Sequence, residues 1–340
     1  MTTFKEIRGN LIKSTSTDPA NPQDGQIWYN STSQVLKGEV FLAAWSSGAS
    51  MINNLSGGAN GSNGGTQNAS FIMGGGPPAD ETQGSTATEE YNGVSFSAGG
   101  TIPVTQNQTN GGNQGFGSLT AALVTGGAPG SGIIYNWARS YDGSTWSTEN
   151  TLSNSRGTAA ATGTLTAGVV FAGYGPPIPP GRLNATEEFD GTNWTSGGSL
   201  STPRYDPSGG QGTQTSAACN GGEGESARES ATENYDGTSW TAGTSLPGIT
   251  RGGQAFGPSN SLYIYYGGSP APGTESTDTL EYDGISFTSI ATMGTGTTNS
   301  VPSSGGGTTA AVAMGGNPNP MQSNTQEFDY GPATRTFTTS

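Results

Sequence analysis

The 340-residue chain carries 11 Lys plus Arg against 25 Asp plus Glu, a formal charge of -14, which removes the usual electrostatic basis for holding nucleic acid or an anionic membrane. With no histidine and one cysteine, Cys219, it can form no intrachain disulfide, and most metal and nucleophile arrangements are out of reach. Only 30% of residues are hydrophobic and 58 are Gly, a composition near that of disorder, yet aromatics at a fixed period argue for a folded, all-β, loop-rich body.

Met1 to Lys13 lacks the apolar run of a secretory signal, and no stretch approaches the ~20 apolar residues of a membrane span, so neither ordinary secretory export nor membrane insertion is expected. Residues 1–37 stand apart from the rest of the chain. Ser14 to Pro22 reads as a proline-punctuated linker, and Gly25-Gln26-Ile27-Trp28-Tyr29-Asn30 with Gln34-Val35-Leu36-Lys37-Gly38 reads as a hairpin. This segment is either a frayed end or an arm that attaches the body to a larger assembly, with Phe4, Ile7, Trp28 and Tyr29 as its anchoring residues.

From Val40 onward the chain repeats. Ala231-Thr232-Glu233-Asn234-Tyr235-Asp236-Gly237-Thr238-Ser239-Trp240 predicts a hairpin whose Asp-Gly pair supplies the positive φ angles of a tight primed turn. Copies centre on Tyr91, Tyr141, Phe189, Tyr282 and, in degenerate form, on Glu327-Phe328-Asp329-Tyr330 running to Phe337; from Tyr91 to Phe328 the steps are 50, 48, 46, 47 and 46 residues. Val40 to Gly48, with Trp45, matches only the outgoing half of this hairpin, giving seven aromatic strands against six copies of the rest. Upstream of each hairpin lies a small-residue strand closing on a Gly pair, as in Ala217-Ala218-Cys219-Asn220-Gly221-Gly222; Gly173-Tyr174 reads as a broken pair. A further Gly-rich segment such as Arg251 to Gly257 precedes it, so each unit holds about four short strands, the sequence form of a β-propeller blade.

The Gly-Gly after a small apolar strand, the dozen variable residues, and then Glu-Tyr-Asp-Gly and Trp together resemble the Kelch repeat over about residues 40 to 337. The run Asp18 to Pro22, Gln26 to Ser33 and Ala44-Trp45-Ser46-Ser47-Gly48 resembles the opening of Kelch-like proteins of tailed phages of marine bacteria, which implies a virion structural or accessory protein. The expected architecture is therefore an all-β propeller of six Kelch-like four-stranded blades, alternatively seven, over residues 38–340, with a short N-terminal arm over 1–37. Either Trp45 and Phe337 both add to the closing region, or Ile27 to Trp45 forms a rudimentary seventh blade.

Candidate chemistry is sparse. Kelch propellers include copper oxidases whose metal needs His and a Cys-linked Tyr, and this chain cannot build that site. Ser140 to Trp146 resembles the Asp box of sialidase-like propellers, in which Asp and Gly build a turn away from the active site; Asp142, Asp190, Asp236 and Asp283 are read as turn builders. Glu89-Glu90 and Glu187-Glu188 could suggest glycoside cleavage, but adjacent strand residues face opposite ways, and Thr-Glu-Glu is read as polarity protecting strand edges.

Arg156, Arg204 and Arg251 lie 10, 10 and 11 residues after Trp146, Trp194 and Trp240, which puts them at one blade position near the axial opening. They either bind an anionic glycan or carboxylate, or satisfy loop carbonyls and bridge neighbouring blades. Tyr263 and Tyr265 share a face and are read as inter-blade packing, while Tyr266 is the wetter ring and a candidate for sugar stacking. These readings lead to a non-enzymatic virion protein without cofactor or metal, joined to other virion proteins by its arm and open to self-association, with a host-surface glycan as ligand. A glycan-cleaving or glycan-modifying enzyme is the alternative.

Overall fold

A computed structural model describes residues 12–22, 25–53, 56–61, 65–76, 85–103, 115–127, 134–176, 181–209, 211–303, 306–316 and 323–337. Every regular element among them is a β-strand. The chain divides into two compact units, Met1–Ala43 with Asp329–Ser340, and Ala44–Phe328. Two long strands, Val35–Ser47 and Thr325–Phe337, contribute residues to both.

In the smaller unit, Ile27–Asn30 pairs antiparallel with the strand beginning at Val35, so the expected hairpin is present. Lys13–Thr15 adds in parallel on its other side, so Ser14 and Thr15 belong to a strand and the expected linker starts later. Asp18 organises this sheet: its carboxylate accepts from Trp28 Nε1 at 3.0 Å, Asn30 Nδ2 at 2.7 Å and Lys37 Nζ at 2.6 Å. The Lys37 contact, then those of Asn30 and Trp28, hold its pKa down at about 2. Trp28 is fully buried, whereas Tyr29 is 38% exposed. Phe4 and Ile7 lie outside the described residues.

The larger unit is a β-propeller. Its first blade comprises Ser56–Gly61, Ser70–Gly76, Thr88–Tyr91 and Phe96–Ala98, and the second Gly115–Ser118, Ala121–Thr125, Ala138–Tyr141 and Trp146–Glu149. The third is Ala160–Thr164, Ala167–Phe171, Thr186–Phe189 and Trp194–Ser196; the fourth Gly212–Thr213, Ser216–Asn220, Thr232–Tyr235 and Trp240–Ala242; the fifth Gln254–Ser259, Leu262–Tyr266, Asp278–Tyr282 and Phe287–Thr292. Five four-stranded blades thus stand among the described residues, where six, or seven, were expected. The difference lies in the last repeat. Asp329-Tyr330 lacks the Asp-Gly, or in the first blade Asn92-Gly93, of the other turns, so the strand does not fold back but continues as Thr325–Phe337. Phe337 therefore supplies no outer strand to that repeat. Val301–Ser303 and Ala310–Met314 instead join Thr325–Phe337 and Val35–Ser47 in a six-stranded sheet. The first strands of the five blades touch in succession, and Val301–Ser303 touches both the fifth and the first.

The hairpin aromatics hold neighbouring blades together. Trp146 Nε1 donates to Thr88 Oγ1 at 3.0 Å and Trp240 Nε1 to Thr186 Oγ1 at 2.9 Å, each reaching the Thr that opens the third strand of the preceding blade. Trp45 Nε1 does the same to Thr279 of the fifth blade at 2.8 Å, and its ring lies 5.1 Å from those of Tyr266 and Phe328. The unpaired aromatic strand of the sequence thus serves the last repeat. Tyr hydroxyls make a second bond across each junction where the pair exists: Tyr235 donates to Glu188 at 2.5 Å, Tyr141 to Glu90, and Tyr91 to Glu327. Gly197 makes room for one of them, since a Cβ there would lie 2.5 Å from the Tyr235 hydroxyl.

The Asp-Gly turns differ in detail from the expected primed pair. Asp142 N donates to Thr145 O at 3.3 Å and Tyr141 pairs with Trp146, so the loop is four residues long and only Gly143, at φ 90°, has left-handed geometry. Asp142 Oδ1 accepts from the amides of Ser144 and Thr145 at 2.8 and 2.7 Å, and Asp190, Asp236 and Asp283 repeat this. These backbone donors help hold all four carboxyls below the ordinary carboxylate range, so their expected role as turn builders is met. The supposedly broken Gly pair is Ala172-Gly173, both left-handed at φ 58° and 96°.

Trp45→Ala removes both ring contacts and the bond to Thr279. It is expected to cost about 2–4 kcal/mol, read as a lowered urea midpoint.

Candidate functional site

The segment that enters each blade sets the site. In two junctions the residue ten beyond the hairpin Trp is Arg. The Arg156 carbonyl accepts from Gly127 N of the preceding blade at 3.0 Å, while its guanidinium reaches forward to Ala172 O, Ala185 O and Glu187 Oε1 at 3.2, 3.1 and 2.7 Å. Arg204 repeats this between Gly173 N at 2.9 Å and Gly221 O, Ala231 O and Glu233 Oε1 at 3.1, 3.0 and 2.6 Å. Both arginines are fully buried. They satisfy loop carbonyls and bridge blades, and present nothing to a ligand.

Their partners explain the repeated Thr-Glu-Glu. Glu187 also accepts the amides of Ser153 and Asn154 at 2.6 and 3.1 Å, and Glu89 those of Ile52 and Asn53 at 2.8 and 2.7 Å. The first Glu is buried and clamps the incoming loop, and the second accepts the Tyr hydroxyl of the next blade in the Tyr-Glu pairs. Neither protects a strand edge, and the two face different partners, as strand alternation requires.

Arg251 does not share the position of the other two. Thr250 does: its carbonyl accepts from Gly222 N at 2.9 Å, and Tyr265 OH donates to its Oγ1 at 3.4 Å. One residue further on, the strand turns outward. Gly157, Tyr205 and Arg251 are successive equivalents, bridged antiparallel to Tyr174, Glu223 and Ser269. Tyr266, expected to be wet, is 1% exposed, packed against Trp45 and Phe256 and accepting from Ser300 Oγ at 3.3 Å, so it stacks on no sugar. Tyr263 donates to Asn220 in the neighbouring blade at 2.7 Å, in keeping with inter-blade packing.

This outward register gathers a half-open cluster of cationic and aromatic groups. The guanidinium carbons of Arg182 and Arg251 lie 5.2 and 6.0 Å from the Tyr205 ring centre, and Tyr174 meets that ring edge-on at 6.0 Å. Arg182 is placed by a two-residue ladder in which Tyr174 pairs with Arg182. Arg251 Nη1 donates to Tyr205 OH and Glu223 Oε2, each at 3.2 Å; Arg182 Nε donates to Glu223 O at 3.1 Å; and Arg228 Nε stands 3.6 Å from Glu223. Among the described residues, Arg182 Nη1 and Nη2 and Arg251 Nε and Nη2 have no partner, nor has the buried Nη1 of Arg228. Burial raises the Tyr174 and Tyr205 hydroxyls, so neither phenol is poised as a base.

Below them lies Asp206, 4% exposed and left-handed at φ 51°, with Oδ1 unpartnered. Burial lifts its pKa to about 7 against the pull of Arg251, Thr158 and Arg228, with Glu223 adding to the rise. Arg182, Arg228, Tyr174, Tyr205, Glu223 and Asp206 escape sequence reading because no repeat position marks them. The one available signal was the shared outward register of Tyr205 and Arg251.

The other end of the inner strands is different. A cavity of about 900 Å³ lies among their turns, against Thr162, Thr166, Thr213, Gln214 and Pro258, and no ionisable side chain lines it among the described residues. Likewise, no group of three or more carboxylate or thiol ligands capable of holding a metal occurs among the described residues. Compared with known proteins, the chain matches no family model and no curated protein.

Arg204→Ala leaves Glu233 buried without its cation and is expected to cost about 3–5 kcal/mol, against less than about 1 for Arg251→Ala, in paired urea titrations. Asp206 carries a folded pKa of about 7 above its ordinary 3.8, so its protonated form stabilises fully below pH 4 and that contribution is lost as pH rises towards 7. Asp206→Asn keeps the left-handed backbone, as Asn299 does at the equivalent place, and should gain on the order of 2–4 kcal/mol at pH 8 and nothing at pH 4 in the same assay.

Proposed function

We propose that the protein is a non-enzymatic, Kelch-like propeller carried in a phage virion as a structural or accessory component, with a host-surface glycan as its ligand. In this reading the six-stranded sheet is a sixth sector: Val301–Ser303, Ala310–Met314 and the first residues of Thr325–Phe337 follow the strand order of a blade, and the strand bearing Trp45 completes it. The virion assignment rests on the resemblance of residues 18–48 to the openings of such proteins, and attachment to other virion proteins is assigned to residues 1–37. Tyr29 is the exposed aromatic of that segment among its described residues.

The observation that carries glycan binding is the half-open Arg182, Tyr205 and Arg251 cluster. It is a cationic and aromatic place on a chain of formal charge -14. The chain also lacks histidine and keeps its one cysteine buried, so histidine-dependent and thiol nucleophile chemistry has no residues to work with. One observation favours the alternative enzyme: Asp206, its carboxyl raised by burial and by the charge of Glu223, brings a second carboxyl to the site, and glycosidases work with two.

A glycan array probed with the purified full chain tests the reading. Retention of acidic glycans, without release of reducing ends over hours, is the expected result. Release of reducing ends that stops in Asp206→Asn would establish the enzyme instead. Imaging of particles carrying the chain would place it on head or tail, and its absence from particles would end the virion assignment.

A further inference from the structure

We propose that the half-open cluster at the entries to the third, fourth and fifth blades binds a sugar bearing a single carboxylate, held by the unspent N–H groups of Arg182 and Arg251 beside Tyr174 and Tyr205. This inference names the ligand class for the site of the proposed function and rests on that reading.

The geometry supplies the donors. Two guanidinium groups lie within 5.2 and 6.0 Å of one ring centre, each with two nitrogens unspent, and a guanidinium fork matches a planar carboxylate. Neither group can swing away freely. Arg182 is tied to the Glu223 carbonyl, and Arg251 to the Glu223 carboxylate and the Tyr205 hydroxyl, so the fork is held in place before a ligand arrives.

Charge selects the ligand. The ionisable groups surrounding Tyr205 and Asp206 are Arg182, Arg228 and Arg251 against Glu223 and Asp206 itself, which leaves a surplus of one positive charge when Asp206 is ionised. Glu225 and Glu229 lie on the same connecting segment and add negative potential towards solvent. One negative charge on the ligand is therefore matched, and a doubly charged phosphate is opposed by the carboxylates. The aromatic rings fix what carries the charge: Tyr174 and Tyr205 are half-buried and offer partly apolar surface suited to the C–H face of a pyranose. Tyr174 is supported from beneath by the chain itself, because a Cβ on Gly157 would stand 2.9 Å from its ring.

Asp206 adds a readout. Its ionisation near pH 7 introduces a negative charge below the fork, so affinity for an acidic sugar should fall as pH rises from 6 to 8 and recover in Asp206→Asn.

The test is ligand-observed NMR titration of the full chain with glucuronate, glucose and glucose 6-phosphate at pH 8, where Asp206 is ionised. Glucuronate is expected to bind at least tenfold more tightly than either competitor, and the paired substitution of Arg182 and Arg251 by Ala should abolish that margin while the chain keeps a cooperative urea transition. Equal binding of glucose and glucuronate, preference for the phosphate, no binding of glucuronate, or an unaffected double variant overturns the inference. The broader reading fails separately. A chain that adheres to acidic glycans on an array after both arginines are replaced keeps its adhesive role and loses this site. A chain that binds glucuronate but no polymeric glycan keeps the site and loses the role.

Discussion

Neighbouring blades are fastened at one recurring point, where the second residue of a left-handed pair donates its amide to the carbonyl of the segment entering the next blade. The bonds from Gly127, Gly173, Gly222 and Gly268 to Arg156, Arg204, Thr250 and Thr297 run from 2.8 to 3.0 Å. They require backbone that ordinary residues resist, which is why the second place is Gly and why Gly173, whose Cβ would stand 2.7 Å from the Gly157 carbonyl, has no substitute. Two residues later the same segments bond to one another: Asp206 N to Thr158 O, Gly252 N to Asp206 O and Asn299 N to Gly252 O, at 3.0, 2.8 and 2.7 Å. Four junctions are thus linked through main chain alone, and the side chains above them are free to vary.

That freedom accounts for the two fates of arginine. At the tenth residue after Trp the side chain points into the next blade, where it finds carbonyls and a buried Glu; at the eleventh it points outward over Tyr205. A single step along a strand reverses the face, so Arg156 and Arg251 differ in burial for a geometric reason and not a chemical one. Where the inward Arg is replaced by Thr250, Tyr265 extends its hydroxyl to the same junction, and Gly253 leaves the space for it, a Cβ there lying 1.8 Å from that hydroxyl.

The architecture was legible in the sequence to the extent that it repeats. The period of the hairpin aromatics, the small-residue strands and the unmatched strand at Trp45 all correspond to elements of the propeller. The turn type was not, because Asp-Gly is compatible with both a two-residue and a four-residue loop and only the Tyr141 to Trp146 pairing distinguishes them. The number of four-stranded blades was misjudged because Phe337 was counted as a returning aromatic although it lies nine residues after Phe328, where the other hairpins have five, and its turn is missing. The candidate site was hidden more deeply. Tyr205, Asp206 and Arg182 meet through the bridges of adjacent blades, contacts that follow from the closed fold and leave no spacing rule in the chain. Counting an eleven-residue gap as equivalent to ten placed Arg251 with residues whose environment it does not share.

Trp45 donates to Thr279, 234 residues away, and packs on Phe328, while five sheets are made from strands close in sequence. A chain emerging from the ribosome can therefore complete each of those sheets as it is made, but the strand carrying Trp45, made before all five, must wait for a partner made after them. Loop closure over that distance carries an entropic cost that local sheets do not meet. Sealing of the circle is consequently the late, slow event in its biogenesis, and until it happens the edges that Val35–Ser47 and Thr325–Phe337 offer one another are open to pairing with another chain.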